Sequence, residues 1–304
     1  MPDATRERLL LLCPVPADLR AALSGRYDVT EDRADPPRLA VTTSMKGLDA
    51  ATLDALPALR MVACQGVGLD RIDLPAARAR GVAVSHTPDV LTEDVADFAI
   101  ALMYAVVRRT GEADRFVRAG RWSRERMTPG TRLHGKTCGI VGMGRIGQAI
   151  ARRAAGIGMV VAWNGPNPKP ALPYAYEPDL RRLAEVSDVL ILAMPGGPET
   201  TGMVDGAVLS ALGSRGFLVN IARGSVVDEA ALLQALETGG IAGAGLDVFA
   251  TEPGLDPRFV ALENVALAPH YASVTHETRQ AMIARMLDDL DAFAKGRPFL
   301  NVAA

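Results

Sequence analysis

The chain has 304 residues, 49% of them hydrophobic and 22% charged, with a formal net charge of −2. That length can bury a large core and suits two domains at roughly 100–200 residues each. No basic block invites nucleic acid or an acidic membrane surface, and no stretch approaches the ~20 apolar residues of a membrane span.

Residues 8–13 read as a buried first strand, broken by Pro14 and Pro16 and too short for a signal peptide. A helix over 17–23 follows and stops near Gly25. Short buried strands come next at 41–43, 61–64 and 82–84, with a helical stretch at 49–56 between the first two. Strands alternating with helices predict a parallel sheet covered by helices, here a first, smaller α/β unit. Cys13, Cys64 and Cys138 each lie in or beside an apolar run. An odd number so placed reads as reduced, buried thiols of a cytoplasmic protein, with no disulfide and no metal site. Gln65-Gly66-Val67-Gly68-Leu69-Asp70 follows the strand at 61–64. It is either a plain βα turn or a row of backbone N–H groups that hold an anion such as a carboxylate.

Residues 92–109 predict a long helix with Thr92 as N-cap, Glu93 and Asp94 in its first turn, and Arg108 and Arg109 in its last. It is apolar round much of its surface, so it should be buried between domains or between subunits. A helix over 112–118 ends near Gly120, and 121–135, with Trp122, reads as a connector.

A short apolar run then ends in Gly142-Met143-Gly144-Arg145-Ile146-Gly147, and a helical pattern follows at once. Strand, Gly-x-Gly-x-x-Gly turn and helix form a dinucleotide-binding unit. Gly142 allows the tight turn, Gly144 lets the backbone approach a pyrophosphate, and Gly147 lets helix and strand pack closely. The phosphates would face free N–H groups and the positive end of the helix dipole. Residues 159–163 are the next strand. Asn164, 22 residues beyond Gly142, stands where an Asp or Glu would bond the adenosine ribose of NAD. Asn does not repel a 2′-phosphate, and Lys169 adds a cation nearby, which favours NADP. The other reading is that Asn164 still binds the ribose of NAD.

Further strands are expected at 188–195, 218–222, 244–249 and 265–270. Asp228 should cap a helix over 229–237 that stops at Gly239-Gly240, and a helix over 275–293 closes the chain. Arg223, Glu252 and His270 follow three successive strands, where an open parallel sheet places its ligands. Singly, each reads as a surface charge, a turn residue and a structural histidine. Together, on the edge that carries a nucleotide site, they suit hydride transfer to a 2-oxo acid. Arg grips the carboxylate, His delivers the proton, and Glu orients the His and stabilises its cation.

The motifs Gly142-x-Gly144-x-x-Gly147, Asn220-Ile-Ala-Arg-Gly-Ser-Val-Val-Asp228-Glu, Gly245-Leu-Asp-Val-Phe-x-x-Glu-Pro253 and Ala268-Pro-His270 resemble those of the D-isomer-specific 2-hydroxyacid dehydrogenase family. Val84-x-x-Thr-Pro-Asp-Val-Leu-Thr-Glu-Asp-Val-Ala-Asp97 and Met194-Pro-Gly-Gly-Pro-Glu-Thr200 look most like its glyoxylate/hydroxypyruvate and hydroxyphenylpyruvate reductase branch. The resemblance implies an α/β fold of two doubly wound parallel-sheet domains, Rossmann-like and flavodoxin-like, separated by a cleft. Residues 1–96 plus 276–304 would form the substrate domain, and 97–275 the NAD(P)-binding domain. It implies a homodimer joined through the 92–109 helix, acting on a small 2-oxo acid with NADPH favoured over NADH. By position, Arg223 would bind the substrate carboxylate and polarise the carbonyl, and His270, paired with Glu252, would be the acid/base. Val67 and Gly68 would offer N–H groups to the carboxylate, and Asp247 would hold the nicotinamide carboxamide. Arg145 and Ile146 would meet the pyrophosphate, with Pro195 and Ala222 also lining the cofactor site. NADP-using members usually carry an Arg near 164–168, which this chain lacks. His86, His134 and His276 match no catalytic position. The alternatives are a phosphoglycerate or formate dehydrogenase, or a nucleotide-sensing binding protein on the same fold. The lack of a domain after 304 and of a basic cluster near 65–70 counts against phosphoglycerate.

Overall fold

The computed structural model describes residues 6–299 and 302–303. The chain divides into two compact units, Met1–Leu91 with Thr275–Ala304, and Thr92–Val274. The first begins β1 (Arg8–Leu11), α1 (Ala17–Ser24), β2 (Asp28–Thr30), β3 (Leu39–Thr43), α2 (Ala50–Asp54), β4 (Met61–Gln65), α3 (Leu74–Ala79) and β5 (Ala83–Ser85). Its sheet is wholly parallel, in the order β2-β1-β3-β4-β5. Because side chains alternate across a strand, the apolar runs feed two cores. Leu10, Ala40, Val62, Cys64 and Val84 meet Leu53 and Ala77 on one face. On the other, Leu9, Leu11, Leu39, Val41 and Met61 meet Leu19 and Leu23 of α1.

The second unit runs α4 (Thr92–Val107), α5 (Thr110–Arg118), a 3₁₀ turn at Arg121–Ser123, β6 (Thr137–Val141), α6 (Arg145–Gly156), β7 (Val160–Asn164), β8 (Ala175–Tyr176), α7 (Leu180–Val186) and β9 (Val189–Leu192). It continues with α8 (Gly206–Leu212), β10 (Phe217–Asn220), a 3₁₀ turn at Gly224–Val226, α9 (Glu229–Glu237), β11 (Gly243–Leu246), α10 (Arg258–Ala261) and β12 (Val265–Leu267). The seven strands are parallel, in the order β12-β11-β10-β9-β6-β7-β8. A single cluster of Leu190, Leu192, Leu218, Leu232, Leu236, Leu246 and Phe259 fills one face. The chain then returns to the first unit as α11 (His276–Ala294), capped by Thr275 Oγ1, which accepts from Thr278 N at 3.1 Å. Met286, Leu287 and Leu290 of this helix complete the core that α1 begins.

Both units are doubly wound parallel sheets, as expected. Two details differ. Thr92 is the first residue of α4, not the residue before it, and α4 ends at Val107, so Arg108 and Arg109 lie beyond it. Arg109 turns left-handed at φ 54° and starts α5 instead. No helix among the described residues is long and apolar enough to cross a membrane.

Candidate active site

The second sheet reverses its winding between β6 and β9, and the carboxyl ends at such a switch point are where ligands bind. The glycine-rich turn leaves β6 there. Gly142 has φ 95°, and a Cβ on it would lie 2.6 Å from Met194 N, so torsion and the approach of the β9 loop both exclude a side chain. A Cβ on Gly147 would meet Gly142 O at 2.0 Å, whereas one on Gly144 would meet nothing within 4 Å. The turn is therefore packed on its inner side and open at Gly144. There it forms a cradle at the N-terminus of α6, 12 residues long and without a side-chain cap. First-turn N–H groups lack intrahelical partners and carry the positive end of the dipole. The cradle fits a dinucleotide pyrophosphate lying on Arg145 and Ile146.

Asn164 ends β7. Its Nδ2 donates to Glu177 O at 2.9 Å and Pro178 O at 3.0 Å, so its amide hydrogens tie the strand to the next loop. Lys169 is exposed, and its Nζ donates to Met143 O at 2.7 Å, which holds the ammonium against the glycine-rich turn.

Arg223, Glu252 and His270 follow β10, β11 and β12. Asn220, 1% exposed, pins the first loop: its Oδ1 accepts from Ala222 N and its Nδ2 donates to Arg223 O, both at 3.0 Å. The half-buried Arg223 donates from Nη1 to Ala222 O at 2.7 Å, and its stem leaves room only for glycine at 196, beside Pro195. A Cβ on Gly224 would stand 1.9 Å from Phe249 C and O. That approach lays the Arg223 loop against the segment that carries Glu252. Glu252 accepts from Phe249 N through Oε1 at 2.9 Å and meets His270 Nδ1 through Oε2 at 2.8 Å. The carboxylate is 10% exposed and the imidazole 30%, so the acid is enclosed and the ring keeps an open edge. A carboxylate removed from water needs such partners.

His270 has φ 52°, a left-handed torsion that costs a side-chain-bearing residue roughly 1–2 kcal/mol. The turn is held by His270 N donating to Asp247 O at 2.8 Å. Asp247 accepts from Tyr271 N at 2.6 Å and Ala272 N at 3.0 Å. Burial pushes its carboxyl above the usual carboxylate range, against the opposing pull of those two N–H groups and His270. Glu252 thus holds the imidazole of His270, while Asp247 holds its turn, through its main-chain carbonyl to His270 N and through its carboxylate to the next two N–H groups.

In the first unit, the half-buried Val67 and Gly68 follow β4, and neither N–H has a partner among the described residues. Their loop is braced by residues that sequence reasoning passed over. Thr87 N donates to Gly66 O and Gly66 N donates to Thr87 Oγ1, each at 3.0 Å. His86 Nδ1 lies 3.2 Å from Val67 O. The one available signal was a histidine and a threonine just after a strand. His134 packs against Gly158, and His276 begins α11. Trp122 is 67% exposed. A hollow of about 1130 Å³ in the second unit is lined by α4, α5, α10 and β12, and includes none of Arg223, Glu252 or His270.

A family model described as the NAD-binding domain of D-isomer specific 2-hydroxyacid dehydrogenases matches residues 100–272. A 2-ketogluconate reductase of Gluconobacter oxydans is 49% identical over 255 residues, covering 84% of this chain and 82% of that one. A hydroxyphenylpyruvate reductase of Plectranthus scutellarioides is 41% identical, covering 96% and 97%. Among solved structures, an NADPH-dependent glyoxylate/hydroxypyruvate reductase of Sinorhizobium meliloti, in complex with NADP and malonate, superposes with a TM-score of 0.91 at 40% identity, covering 98% and 97%.

Proposed function

The chain belongs to the D-isomer specific 2-hydroxyacid dehydrogenase family and is an oxidoreductase, and from that footing we propose that it reduces glyoxylate, hydroxypyruvate or a close 2-oxo acid to the D-2-hydroxy acid with NADPH. The observation that carries this reading is the 2.8 Å contact of His270 Nδ1 with the enclosed Glu252, set on the sheet edge that carries the nucleotide turn and the Arg223 loop.

Bound nicotinamide supplies the hydride that adds to the 2-oxo carbon. The chain does the rest. Arg223 holds the substrate carboxylate and draws electron density toward the carbonyl oxygen. Glu252 accepts a hydrogen bond from Nδ1–H of the His270 imidazolium, so Nε2–H is the proton delivered to that oxygen, leaving a neutral imidazole. As the proton leaves, Glu252 keeps the ring in place for recharging from water. In the first unit, the N–H groups of Val67 and Gly68 are donors suited to a carboxylate. Asp247 has lone pairs left for the carboxamide, and Pro195 and Ala222 line the same cofactor position.

NADPH is favoured because Asn164 offers no negative charge at the ribose end, and because Lys169 stands beside the glycine-rich turn. Asn164 shapes that end by fixing the 177–178 loop and has its amide oxygen left for a ribose hydroxyl. We assign the protein to the cytoplasm, where its three unpaired thiols stay reduced. We also assign a homodimer formed over the α4, α10 and β12 face, where Val260 is 70% and Leu267 40% exposed. Light scattering should give twice the 32.1 kDa chain mass; a monomer at micromolar concentration would refute the dimer.

The test of function is a matrix of initial rates. Glyoxylate, hydroxypyruvate, 2-ketogluconate and hydroxyphenylpyruvate are each supplied with NADPH and with NADH. A higher kcat/KM with NADPH is expected, and equal values or a preference for NADH would defeat the cofactor assignment. Failure of all four acids with either nicotinamide would defeat the reductase reading.

A further inference from the structure

The first unit has its own switch point. Its order β2-β1-β3-β4-β5 turns one way from β1 to β2 and the other way from β1 to β3. Crevices at the carboxyl ends of such neighbouring strands bind ligands in open parallel sheets. The segments that follow β1, β2, β3 and β4 line an open hollow of about 270 Å³, with Leu12, Arg33, Lys46, Asp49, Thr52 and Arg71 among its residues. Val67 and Gly68, which follow β4, are not part of it.

Three of those residues are cations and one is an acid. Backbone bonds fix where the cations stand. Leu48 N donates to Arg71 O at 2.9 Å and Asp73 N to Leu48 O at 2.8 Å, which zips the loop after β3 to the loop after β4 and sets Arg71 beside Lys46. Arg71 Nη1 donates to Met45 O at 2.8 Å, and Arg33 Nη2 to Leu12 O at 3.1 Å. Each guanidinium is thus anchored through one nitrogen and keeps its remaining donors.

None of the three cations has an ion pair among the described residues. Their neighbours behave otherwise. Arg8 pairs with Asp35, Arg20 with Glu31, Arg26 with Asp291, Arg38 with Glu7 and Arg80 with Asp54. Of the acids near Arg33 in sequence, Glu31 and Asp35 are engaged by arginines from elsewhere, and Asp32 Oδ1 accepts from Ala34 N at 2.9 Å. Asp49 is occupied as the cap of α2, accepting from Thr52 N at 2.7 Å. Asp49 lines the hollow too and its charge offsets part of that of Lys46, but three cations against one carboxylate leave an excess of positive charge that attracts an anion.

We infer that the hollow is a binding site for a small, multiply charged oxyanion of the phosphate class, gripped by Arg33, Lys46 and Arg71. Planar guanidinium forks match tetrahedral oxyanions bidentately, and the ammonium adds a point charge. The volume is about nine times the ~30 Å³ share of one water, room for phosphate, pyrophosphate or a phosphate monoester. No cluster of cations marks it near 65–70, because the fold draws the three from three separate loops. The inference does not depend on the reductase reading.

The test is a calorimetric titration of the full-length protein with pyrophosphate at low ionic strength, in a zwitterionic buffer. With NADPH present to fill the pyrophosphate cradle of the second unit, wild type should give a one-site isotherm. Lys46→Ala/Arg71→Ala should weaken binding at least tenfold, and Arg33→Gln alone several-fold. These side chains are exposed, and an unchanged melting temperature would show that each variant is folded. Arg60→Ala/Arg78→Ala removes two positive charges elsewhere on the same unit, and should bind as wild type does. Arg223→Ala should also bind normally. Any one of four results overturns the proposal: no binding by wild type, normal binding by Lys46→Ala/Arg71→Ala, an equal loss in Arg60→Ala/Arg78→Ala, or loss in Arg223→Ala.

Discussion

His270 joins a proton-carrying ring to a backbone torsion that a side chain rarely adopts. Three bonds from Asp247 and its neighbours hold that torsion, and Glu252 holds the ring. Replacing the ring should therefore remove the proton donor while the loop stays in place. His270→Gln is expected to lower kcat at least ~10²-fold, the low end for a positioned acid/base, with little change in NADPH affinity measured by fluorescence. Wild-type turnover in that variant would refute the assignment. The meeting of Glu252 with His270 was legible in the sequence because both follow buried strands of one parallel sheet, whose carboxyl ends share an edge. The constraints on them were not. That the amide hydrogens of Asn164 are bound to two carbonyls, or that Thr87 braces the loop of Val67 and Gly68, depends on contacts between segments 13 to 21 residues apart.

At the level of elements, the approach of the β10 and β11 loops at Gly224 and the cap of α9 make a controlled pair. Gly224→Ala places a methyl against the Phe249 carbonyl, so the two loops must part and Arg223 must move away from Glu252. It should destabilise by about 1–3 kcal/mol and also depress kcat/KM. Asp228→Ala removes the bond that Ala231 N donates to Asp228 Oδ1 at 3.1 Å, at a cost of about 1 kcal/mol, and should leave kcat/KM near wild type. Denaturation midpoints and kinetics on both variants check this; equal kinetics would show that Gly224 matters for packing alone. The Asp228 cap, the bounds of α9 and the closing α11 were readable from capping residues and stop signals. Strands β8 and β2 were not, since neither contains a buried residue and so neither shows as an apolar run. Three missed helices did leave a mark, an acid at the N-cap: Asp73 before α3, Asp179 before α7 and Asp205 before α8.

At the scale of the whole molecule, the alternation of buried strands and helices gave both sheets, because parallel strands covered on two faces are apolar throughout. It could not give the strand orders, which depend on where each crossover lands. The apolar packing has a consequence for alkaline stability. Burial pushes the thiols of Cys64 and Cys138 from an ordinary 9.0 up to about 12. With folded values raised, their contribution to stability is intact below the unfolded value and is lost as pH climbs toward the folded one. At pH 10 that amounts to about 1.4 kcal/mol per thiol. Urea unfolding at pH 8 and pH 10 should show a loss that shrinks by about 3 kcal/mol in Cys64→Ala/Cys138→Ala; an unchanged loss would refute it. Finally, the first unit is sewn shut by the last helix, down to Tyr27 Oη donating to Asp291 Oδ1 at 2.5 Å across 264 positions. On a ribosome adding roughly 5–20 residues per second, the β1–β5 sheet must wait on the order of ten seconds or more for α11 to be made, with Leu9, Leu11 and Leu39 uncovered by it meanwhile. The nascent chain therefore exposes a sticky sheet face for the whole time its second unit is being translated, and that interval is when a chaperone has most to hold.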